Sequence, residues 1–194
     1  MKLVFATNNK HKLQEARALL PQFEILSLED IGCADELPEE QDTLTGNAKQ
    51  KAEYVFQKYG LDCFADDTGL EVVALGGRPG VFSARYAGPQ RSSSDNMNKL
   101  LDELRSVSNR NAAFKTVIAL YFKGEQFCFE GAVEGCITEE LLGSSGFGYD
   151  PVFQPLGYQQ TFGQMTEAEK NRQSHRGRAL EKMVLFFSEL QKSL

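Results

Sequence analysis

The sequence predicts an α/β protein with a mixed β-sheet, and two features of the chain lead to that fold class. In the first third of the chain, short apolar runs typical of strands alternate with helical patterns. Two long strand-like segments then follow each other directly near residues 113–137, which favours an antiparallel pair. With 194 residues, 41% of them hydrophobic, the chain can form one domain or two small lobes around a substantial core.

The first predicted element is a strand that passes through a polar turn into a helix. Residues 2–6 predict the strand, Thr7-Asn8-Asn9 the turn, and the helix stops at Pro21. The N–H groups and the positive dipole end of such a helix suit an anion. Lys10 and Lys12 in the first turn oppose the dipole, which favours an anionic partner over the alternative of a capped helix with solvated lysines.

A second strand is predicted at residues 23–28, and an acidic loop follows at residues 35–42. The segment 43–59 predicts a helix, because it begins with a threonine that suits an N-cap and ends before a glycine. Asn47 and Lys51 are four residues apart, so they share one face near the start of this helix.

The densest chemistry lies in Phe64 to Tyr86, FADDTGLEVVALGGRPGVFSARY. Asp66 and Asp67 end a short apolar run, Thr68 follows at once, and a Gly-Gly-Arg-Pro-Gly loop occupies residues 76–80. Carboxylates, a hydroxyl and flexible backbone suit a site for phosphate and a divalent metal. The alternative is a strand end with a turn and a surface loop, since Asp, Gly and Pro are ordinary turn residues.

Strand geometry separates the two aspartates. Adjacent residues of a regular strand point to opposite faces, so Asp66 and Asp67 cannot both aim at one metal ion. A second carboxylate from elsewhere is therefore needed, and the acidic loop offers Glu39 or Glu40. Mg²⁺ typically binds one or two carboxylates, while water and substrate phosphate oxygens complete its shell.

The middle of the chain predicts scaffold elements to which we assign no chemistry. Residues 92–105 predict a third helix, and residues 113–122 and 126–137 predict paired strands joined by a short Lys-Gly-Glu turn. Further on, residues 166–169 form a capping box that opens a short helix carrying Lys170.

Residues 144–151, SSGFGYDP, place Phe147 between two glycines. One interpretation is a tight turn with a core phenylalanine, and the other is a platform on which a nucleobase stacks. In the second interpretation Asp150 accepts a hydrogen bond from an N–H of the base. The sequence alone leaves both interpretations open.

The last helix is predicted to begin at Ser174-His175-Arg176. Cations in its first turn, including Arg178, oppose the helix dipole, so we expect a ligand or an acidic partner there; the alternative is a serine cap with a solvated basic turn. Its predicted buried stripe consists of Leu180, Met183, Val184, Phe187 and Leu190.

Composition argues against several classes of protein. The net charge of −6 argues against broad nucleic-acid binding. No apolar run approaches the roughly 20 residues that cross a bilayer, and the N-terminus lacks the apolar core of a signal peptide, so we expect no membrane partner and a cytoplasmic location. Only two histidines argue against a zinc site. Reduced cysteines, mostly in the core, are predicted at Cys33, Cys63, Cys128 and Cys136.

Five segments together closely resemble the inosine/xanthosine triphosphate pyrophosphatases, and the resemblance covers almost all of residues 1–194 as a single domain. The segments are Ala6 to Lys12, Asp66 to Leu70, Gly76 to Tyr86, Gly146 to Pro151 and Ser174 to Arg176. The resemblance implies two lobes, an elongated mixed sheet flanked by helices, and an active site in the cleft between the lobes. It also implies a Mg²⁺-dependent homodimer that cleaves ITP, dITP or XTP into the nucleoside monophosphate and pyrophosphate.

The resemblance further implies residue roles. Asp67 matches the proton acceptor and metal ligand, and Glu39 or Glu40 matches the second metal ligand. Substrate-binding positions fall on Thr7, Asn8, Asn9, Lys10, His11, Lys12, Lys51, Thr68, Phe147, Gly148, Tyr149, Asp150, Lys170, His175 and Arg176. Asn8 replaces the glycine of most relatives, and asparagine tolerates a positive φ better than most residues.

From these roles we expect three lysines, at positions 12, 51 and 170, to stabilise the leaving pyrophosphate. Phe147 would stack on the purine, and Arg176 would read its 6-keto oxygen. Two other functions remain open, namely a related pyrophosphatase for other modified nucleotides and a non-catalytic nucleotide sensor. A phosphatase of the haloacid dehalogenase type is excluded, because Asp66-Asp67-Thr68 lacks the spacing D-x-D-x-T.

Overall fold

The computed structural model describes residues 1–192 and shows seven strands and five α-helices in that part of the chain. The strands are β1 (Lys2–Phe5), β2 (Glu24–Leu26), β3 (Cys63–Val72), β4 (Pro79–Gly80), β5 (Asn111–Phe122), β6 (Glu125–Ile137) and β7 (Phe153–Pro155). The helices are α1 (Lys10–Leu19), α2 (Leu44–Tyr59), α3 (Ser93–Glu103), α4 (Glu167–Gln173) and α5 (His175–Lys192).

The strands form one mixed sheet in the order β2-β1-β3-β5-β6-β7, and β4 pairs with β3. β1 runs parallel to β2 and β3, whereas β4 is antiparallel to β3 and β7 is antiparallel to β6. Lys123 and Gly124, which connect β5 to β6, both have positive φ, as two-residue hairpin turns require. The predicted fold class, α/β with a mixed sheet, is confirmed.

The chain divides into two compact units. The first unit comprises Met1–Asp67, Thr116–Gly131 and the described residues from Arg176 onward, and the second comprises Thr68–Lys115 and Ala132–His175. The strands β3, β5 and β6 contribute residues to both units.

In the first unit, alternate residues of each strand belong to two different hydrophobic clusters. One cluster combines residues of α1 and α5 with Leu3, Phe5, Phe64, Ile118 and Leu120. The other combines residues of α2 with Val4, Ala6, Cys63, Ala65, Val117 and Ala119. Because successive strand residues point to opposite faces, α1 and α5 cover one face of the sheet in this unit and α2 covers the other.

The second unit has a core of its own, built from β3, β5, β6, β7 and α3. An aromatic group lies at its centre, where the rings of Phe114 and Phe153 meet edge to face with centroids 4.7 Å apart. Phe162 packs beside them, and its centroid lies 5.3 Å from that of Phe153.

Most predicted elements are confirmed, including the N-cap at Thr43. Leu190 was wrongly placed in the buried stripe of α5, because it is exposed in the last turn of the helix. All four cysteines are free, as predicted, but only Cys33 and Cys63 are buried, so the prediction that most of them lie in the core was wrong. Within residues 1–192, no helix has the length and apolar character that a membrane crossing requires.

Candidate active site

Asp66 is the centre of a charged cluster in the first unit. It continues the alternation of Phe64 along β3, so its side chain lies on the face covered by α1 and α5. Its Oδ1 accepts a hydrogen bond from Lys12 Nζ at 3.0 Å, and its Oδ2 accepts one from Arg176 Nε at 3.0 Å. Arg176 also donates from Nη1 to Glu15 of α1. Two carboxylates and two cations are therefore brought together with no net charge.

The electrostatics of this cluster favour its ionised form. Burial alone would raise the pKa of the Asp66 carboxyl, but Lys12 and Arg176 outweigh burial and hold that pKa well below its usual range. Burial lowers the pKa of the Lys12 ammonium, an effect that Asp66 only partly offsets. Asp66 is therefore expected to be ionised at neutral pH, where it pairs with two cations.

Asp67 lies on the opposite face, and its hydrogen-bond partners Asn47 and Lys51 both come from α2. Its Oδ2 accepts a hydrogen bond from Asn47 Nδ2 at 3.1 Å, and Lys51 Nζ lies 3.5 Å from its Oδ1. The same ammonium donates to Glu39 Oε1 at 2.8 Å. Asn47 also accepts from the main-chain N–H of Gln41 at 2.9 Å, so it ties the acidic loop to the aspartate.

The pKa of Asp67 is shifted in the opposite direction from that of its neighbour. Burial raises the pKa of the Asp67 carboxyl, and Lys51 offsets burial only in part. Burial would lower the pKa of Lys51, but Asp67 and Glu39 outweigh it and raise that pKa. A carboxyl with a raised pKa beside a cation is typical of a group that accepts a proton during a reaction.

The residues around Lys51 fit a divalent cation. Its ammonium lies between the Asp67 and Glu39 carboxylates. Two anionic side chains therefore meet at a position that already holds a positive charge. Glu40 is exposed and pairs instead with Gln50, which favours Glu39 as the second acid. Among residues 1–192, no group of three or more His, Cys, Asp or Glu side chains could hold a metal. Two carboxylates suffice for Mg²⁺ when substrate phosphates supply further oxygens.

The turn before α1 is capped by its own side chains. Asn9 is the N-cap, and its Oδ1 accepts from the N–H groups of His11 at 3.0 Å and Lys12 at 3.2 Å. The expectation of outward-pointing N–H groups was therefore wrong for these two positions, because the cap occupies them. Asn8 needs no positive φ, and its Nδ2 donates to the carbonyl of Asp35 at 3.3 Å, which links the turn to the acidic loop.

The predicted contact of Arg176 with a 6-keto oxygen conflicts with its position. The side chain is 1% exposed, and its guanidinium is bound to Asp66 and Glu15. The expected acidic partner for the basic first turn of α5 is thus internal to the protein. Sequence reasoning missed Glu15, although its position three residues after Lys12 on one helix face offered a signal.

In the second unit, Phe147 lies outside the hydrophobic core and is half-buried, so the core interpretation was wrong. Lys170 Nζ lies 4.6 Å from the centroid of its ring. Asp150 Oδ2 accepts hydrogen bonds from the main-chain N–H of Phe147 at 2.8 Å and from Lys170 Nζ at 2.6 Å. Asp150 is 2% exposed, a position that does not suit the hydrogen bond to a base that we expected.

The other predicted substrate residues differ in their exposure. His175 is buried, and its ring stacks on Phe114 with centroids 4.6 Å apart. Tyr149 is also buried and donates from its hydroxyl to the carbonyl of Ser83 at 2.9 Å. Burial raises the pKa of this tyrosine. Exposed or half-buried positions are occupied by Thr7, Asn8, Lys10, His11, Thr68 and Gly148.

Comparisons with known proteins match this chain to one family over nearly its whole length. The sequence profile of the Ham1 family matches residues 3–186. A Flavobacterium psychrophilum protein named dITP/XTP pyrophosphatase is 57% identical over 188 residues, which are 96% of this chain and 99% of that protein. A Porphyromonas gingivalis protein of the same name is 54% identical over 92% of this chain and 93% of its own length. The solved structure of the Staphylococcus aureus Ham1 protein is similar with a TM-score of 0.89 at 33% identity, over 97% of this chain and 99% of that one. The chain belongs to the Ham1 family.

Proposed function

We propose that the chain hydrolyses nucleoside triphosphates of non-standard purines, namely ITP, dITP and XTP, to the nucleoside monophosphate and pyrophosphate. The relatives from F. psychrophilum and P. gingivalis carry the name dITP/XTP pyrophosphatase, and each is matched over more than nine-tenths of its length. The bond broken is the anhydride between the α and β phosphorus atoms. The enzyme thereby cleanses the nucleotide pool.

The observation that carries this proposal is the environment of Asp67. A buried carboxyl with a raised pKa lies beside the Lys51 ammonium, and that ammonium also holds Glu39. This group combines a proton acceptor, a cation for phosphate oxygens and a second acid for a metal. These three roles suit hydrolysis of a phosphoanhydride.

Asp67 orients the attacking water and accepts its proton. Asn47 keeps the carboxylate in place through the hydrogen bond to Oδ2. Lys12 and Lys51 stabilise the negative charge that develops on the leaving pyrophosphate. Mg²⁺, which Asp67 and Glu39 would hold, supplies charge neutralisation for the triphosphate.

We place base recognition in the second unit, where Phe147 stacks on the purine. A base stacked on an aromatic ring gains about 1–3 kcal/mol in proteins that bind single strands. Hypoxanthine and xanthine carry a 6-keto acceptor where adenine carries an amino donor. A hydrogen-bond donor at that position would reject adenine, because two donors would then face each other.

The test is product analysis with ITP, XTP, GTP and ATP in the presence of Mg²⁺. We expect pyrophosphate and the monophosphate from ITP and XTP, with much slower turnover of ATP. Release of orthophosphate would refute the assignment of the bond, and equal turnover of all four would refute the assignment of the substrate. Binding of ITP without turnover would support the nucleotide sensor instead.

The resemblance to this enzyme family also leads us to propose a cytoplasmic homodimer. Sedimentation equilibrium of the purified chain should then give twice the mass of 21.6 kDa. A monomer at micromolar concentration would refute the dimer.

A further inference from the structure

The acidic loop at residues 35–42 lies against one face of α2. Residues 36–41 belong to no helix or strand, so other contacts must hold this part of the main chain. Residues of α2 at positions i, i+3, i+4, i+7 and i+11, which share one face of a helix, supply them. They are Asn47, Gln50 and Lys51, which bind Gln41, Glu40 and Glu39, and Tyr54 and Lys58, which both bind Asp35. The loop therefore runs in the opposite direction to α2, and it first meets the helix at Asp35.

The carboxylate of Asp35 joins the start of the loop to the second half of α2. Its Oδ2 accepts hydrogen bonds from Tyr54 Oη at 2.8 Å and from Lys58 Nζ at 2.5 Å, and the Cys33 thiol lies 3.7 Å from the same oxygen. Lys58 and Tyr54 hold the pKa of this carboxyl below its usual value. The side chains of Asp35 and Lys58 are 37% and 47% exposed, so their pairing contributes little to the stability of the fold. The contact therefore determines where the loop lies more than how stable the protein is.

The main chain of Asp35 connects the loop to a second element. Its carbonyl accepts a hydrogen bond from Asn8 Nδ2 at 3.3 Å, and Asn8 belongs to the turn before α1. Most relatives in the resemblance have a glycine at this position, and a glycine has no side chain that could make this bond. One residue of the acidic loop thus contacts both α2 and the turn before α1.

The chain between Asp35 and Glu39 has little freedom to absorb a shift. Leu37 packs against the hydrophobic cluster that α2 shares with the sheet. Pro38 fixes its own φ and restricts the residue before it to extended conformations. A displacement of Asp35 is therefore passed on to the Glu39 carboxylate, which lies 2.8 Å from Lys51 Nζ at the candidate metal site.

We infer that Asp35 is a positioning residue that holds the acidic loop so that Glu39 stays in place as the second metal ligand. This inference rests on the proposed function, because that function supplies the role of Glu39. Asp35 acts through the loop rather than by contact with the metal. The affinity for a divalent cation, rather than the stability of the whole fold, then depends on Asp35 and on its two donors, Tyr54 and Lys58.

The test measures cation binding without turnover. Dissociation constants for Mn²⁺, a spectroscopic probe of magnesium sites, are measured by electron paramagnetic resonance for the wild type and for Asp35→Ala, and urea unfolding is followed for each protein. Asp30→Ala is the matched control, because Asp30 lies in the same connection between β2 and α2 and is 47% exposed. It accepts hydrogen bonds from Arg17 of α1 at 3.3 Å and from the main-chain N–H of Ser27 at 2.8 Å, and both of these partners lie outside the acidic loop.

We expect Asp35→Ala to weaken Mn²⁺ binding about tenfold, the lower end of the effect of residues that orient a metal ligand. Its urea midpoint should fall no further than that of Asp30→Ala, whose Mn²⁺ constant should stay within about twofold of the wild type. In a Glu39→Gln background, Asp35→Ala should cost at most about a further twofold, because both changes act through one carboxylate.

Three results would overturn the inference. They are unchanged Mn²⁺ binding in Asp35→Ala, equal losses of binding in Asp35→Ala and Asp30→Ala, and a loss in the Glu39→Gln background as large as that in the wild-type background. Failure of the wild type to hydrolyse ITP would instead overturn the proposed function, because the Mn²⁺ constants test the position of the loop without turnover.

Changes to the donors keep the test decisive if Asp35→Ala does not fold. The double variant Tyr54→Phe, Lys58→Met removes both donors to the carboxylate and should reproduce the loss of Mn²⁺ binding. Lys58→Arg keeps the cation and should retain most of the binding. Wild-type affinity for Mn²⁺ in the double variant would show that Asp35 does not position Glu39.

Discussion

The two faces of β3 in the first unit give adjacent aspartates opposite chemistry. On the face covered by α1 and α5, Asp66 is bound by two cations, and its pKa is strongly lowered. On the face covered by α2, Asp67 has a raised pKa, because burial outweighs the attraction of Lys51. One step along a strand therefore separates a structural anion from a candidate catalytic base.

Asp66 and Asp67 are the same residue type, but the charges around them differ. The balance of those charges decides which of the two carboxylates is suited to catalysis. Asp66 and Glu15 balance Lys12 and Arg176, so the four side chains of this cluster carry no net charge. Around Lys51 the balance is different, because Asp67 and Glu39 both surround a single ammonium. The surplus of negative charge on that face favours a cation there.

The largest expected effect is a loss of activity when Asp67 is replaced. Asp67→Asn keeps the shape of the side chain but removes the proton acceptor, so kcat for ITP should fall about 10³-fold. The variant should remain folded, because it loses a carboxylate whose burial is unfavourable. Circular dichroism checks that the variant is folded, and steady-state kinetics measures its kcat. Near-normal turnover would remove Asp67 from the centre of the mechanism.

The second prediction concerns stability. Asp66→Asn leaves the buried charges of Lys12 and Arg176 with Glu15 as the remaining carboxylate of the cluster, so the free energy of unfolding should fall by about 3 kcal/mol. Urea unfolding of the metal-free protein measures this loss. A loss below about 1 kcal/mol, within the range of an exposed pair, would show that the cluster does not stabilise the fold.

The third prediction follows from the direction of the pKa shifts. Because the pKa of Asp66 is lowered by folding, its stabilisation is fully present above its unfolded pKa of about 3.9 and is lost as pH falls toward the folded value. The stability gap between wild type and Asp66→Asn should therefore narrow by more than about 1.4 kcal/mol, the equivalent of one pKa unit, as the pH falls from 7 toward 2.

In the same experiment, the contribution of Asp67 to stability should change with pH in the opposite direction. Its raised pKa destabilises the folded protein above about pH 3.9 and this penalty disappears as the pH falls through its folded pKa. Any stability advantage of Asp67→Asn over the wild type should thus be present at neutral pH and vanish in acid. Parallel pH profiles for both variants would contradict the contrast between the two faces.

The smallest expected effect distinguishes the two glutamates of the acidic loop. Glu39→Gln should weaken activation by Mg²⁺ at least about tenfold, because Glu39 shares Lys51 with Asp67. Glu40→Gln is the matched control and should stay within about twofold, because its carboxylate pairs with Gln50 at the surface. A reversed order would transfer the second metal ligand to Glu40.

Local patterns predicted the elements well, because caps and periodicity are properties of short segments. The capping box at Thr166, the stop at Gly60 and the shared face of Asn47 and Lys51 were all readable from spacing. The assignment of side chains to ligands was less successful. Arg176, Asp150 and His175 have types that suit nucleotide binding, yet their buried partners lie 20 to 161 residues away along the chain.

By itself, the sequence determined the mixed α/β class and the separation of Asp66 from Asp67, since both follow from the period of two along a strand. The resemblance of five ordered segments likewise pointed to the family. Only the tertiary structure decided which helix covers each face of β3, and hence which cations meet each aspartate. The pKa of a carboxyl depends on burial and on charges within a few ångströms, and those neighbours come from distant parts of the chain.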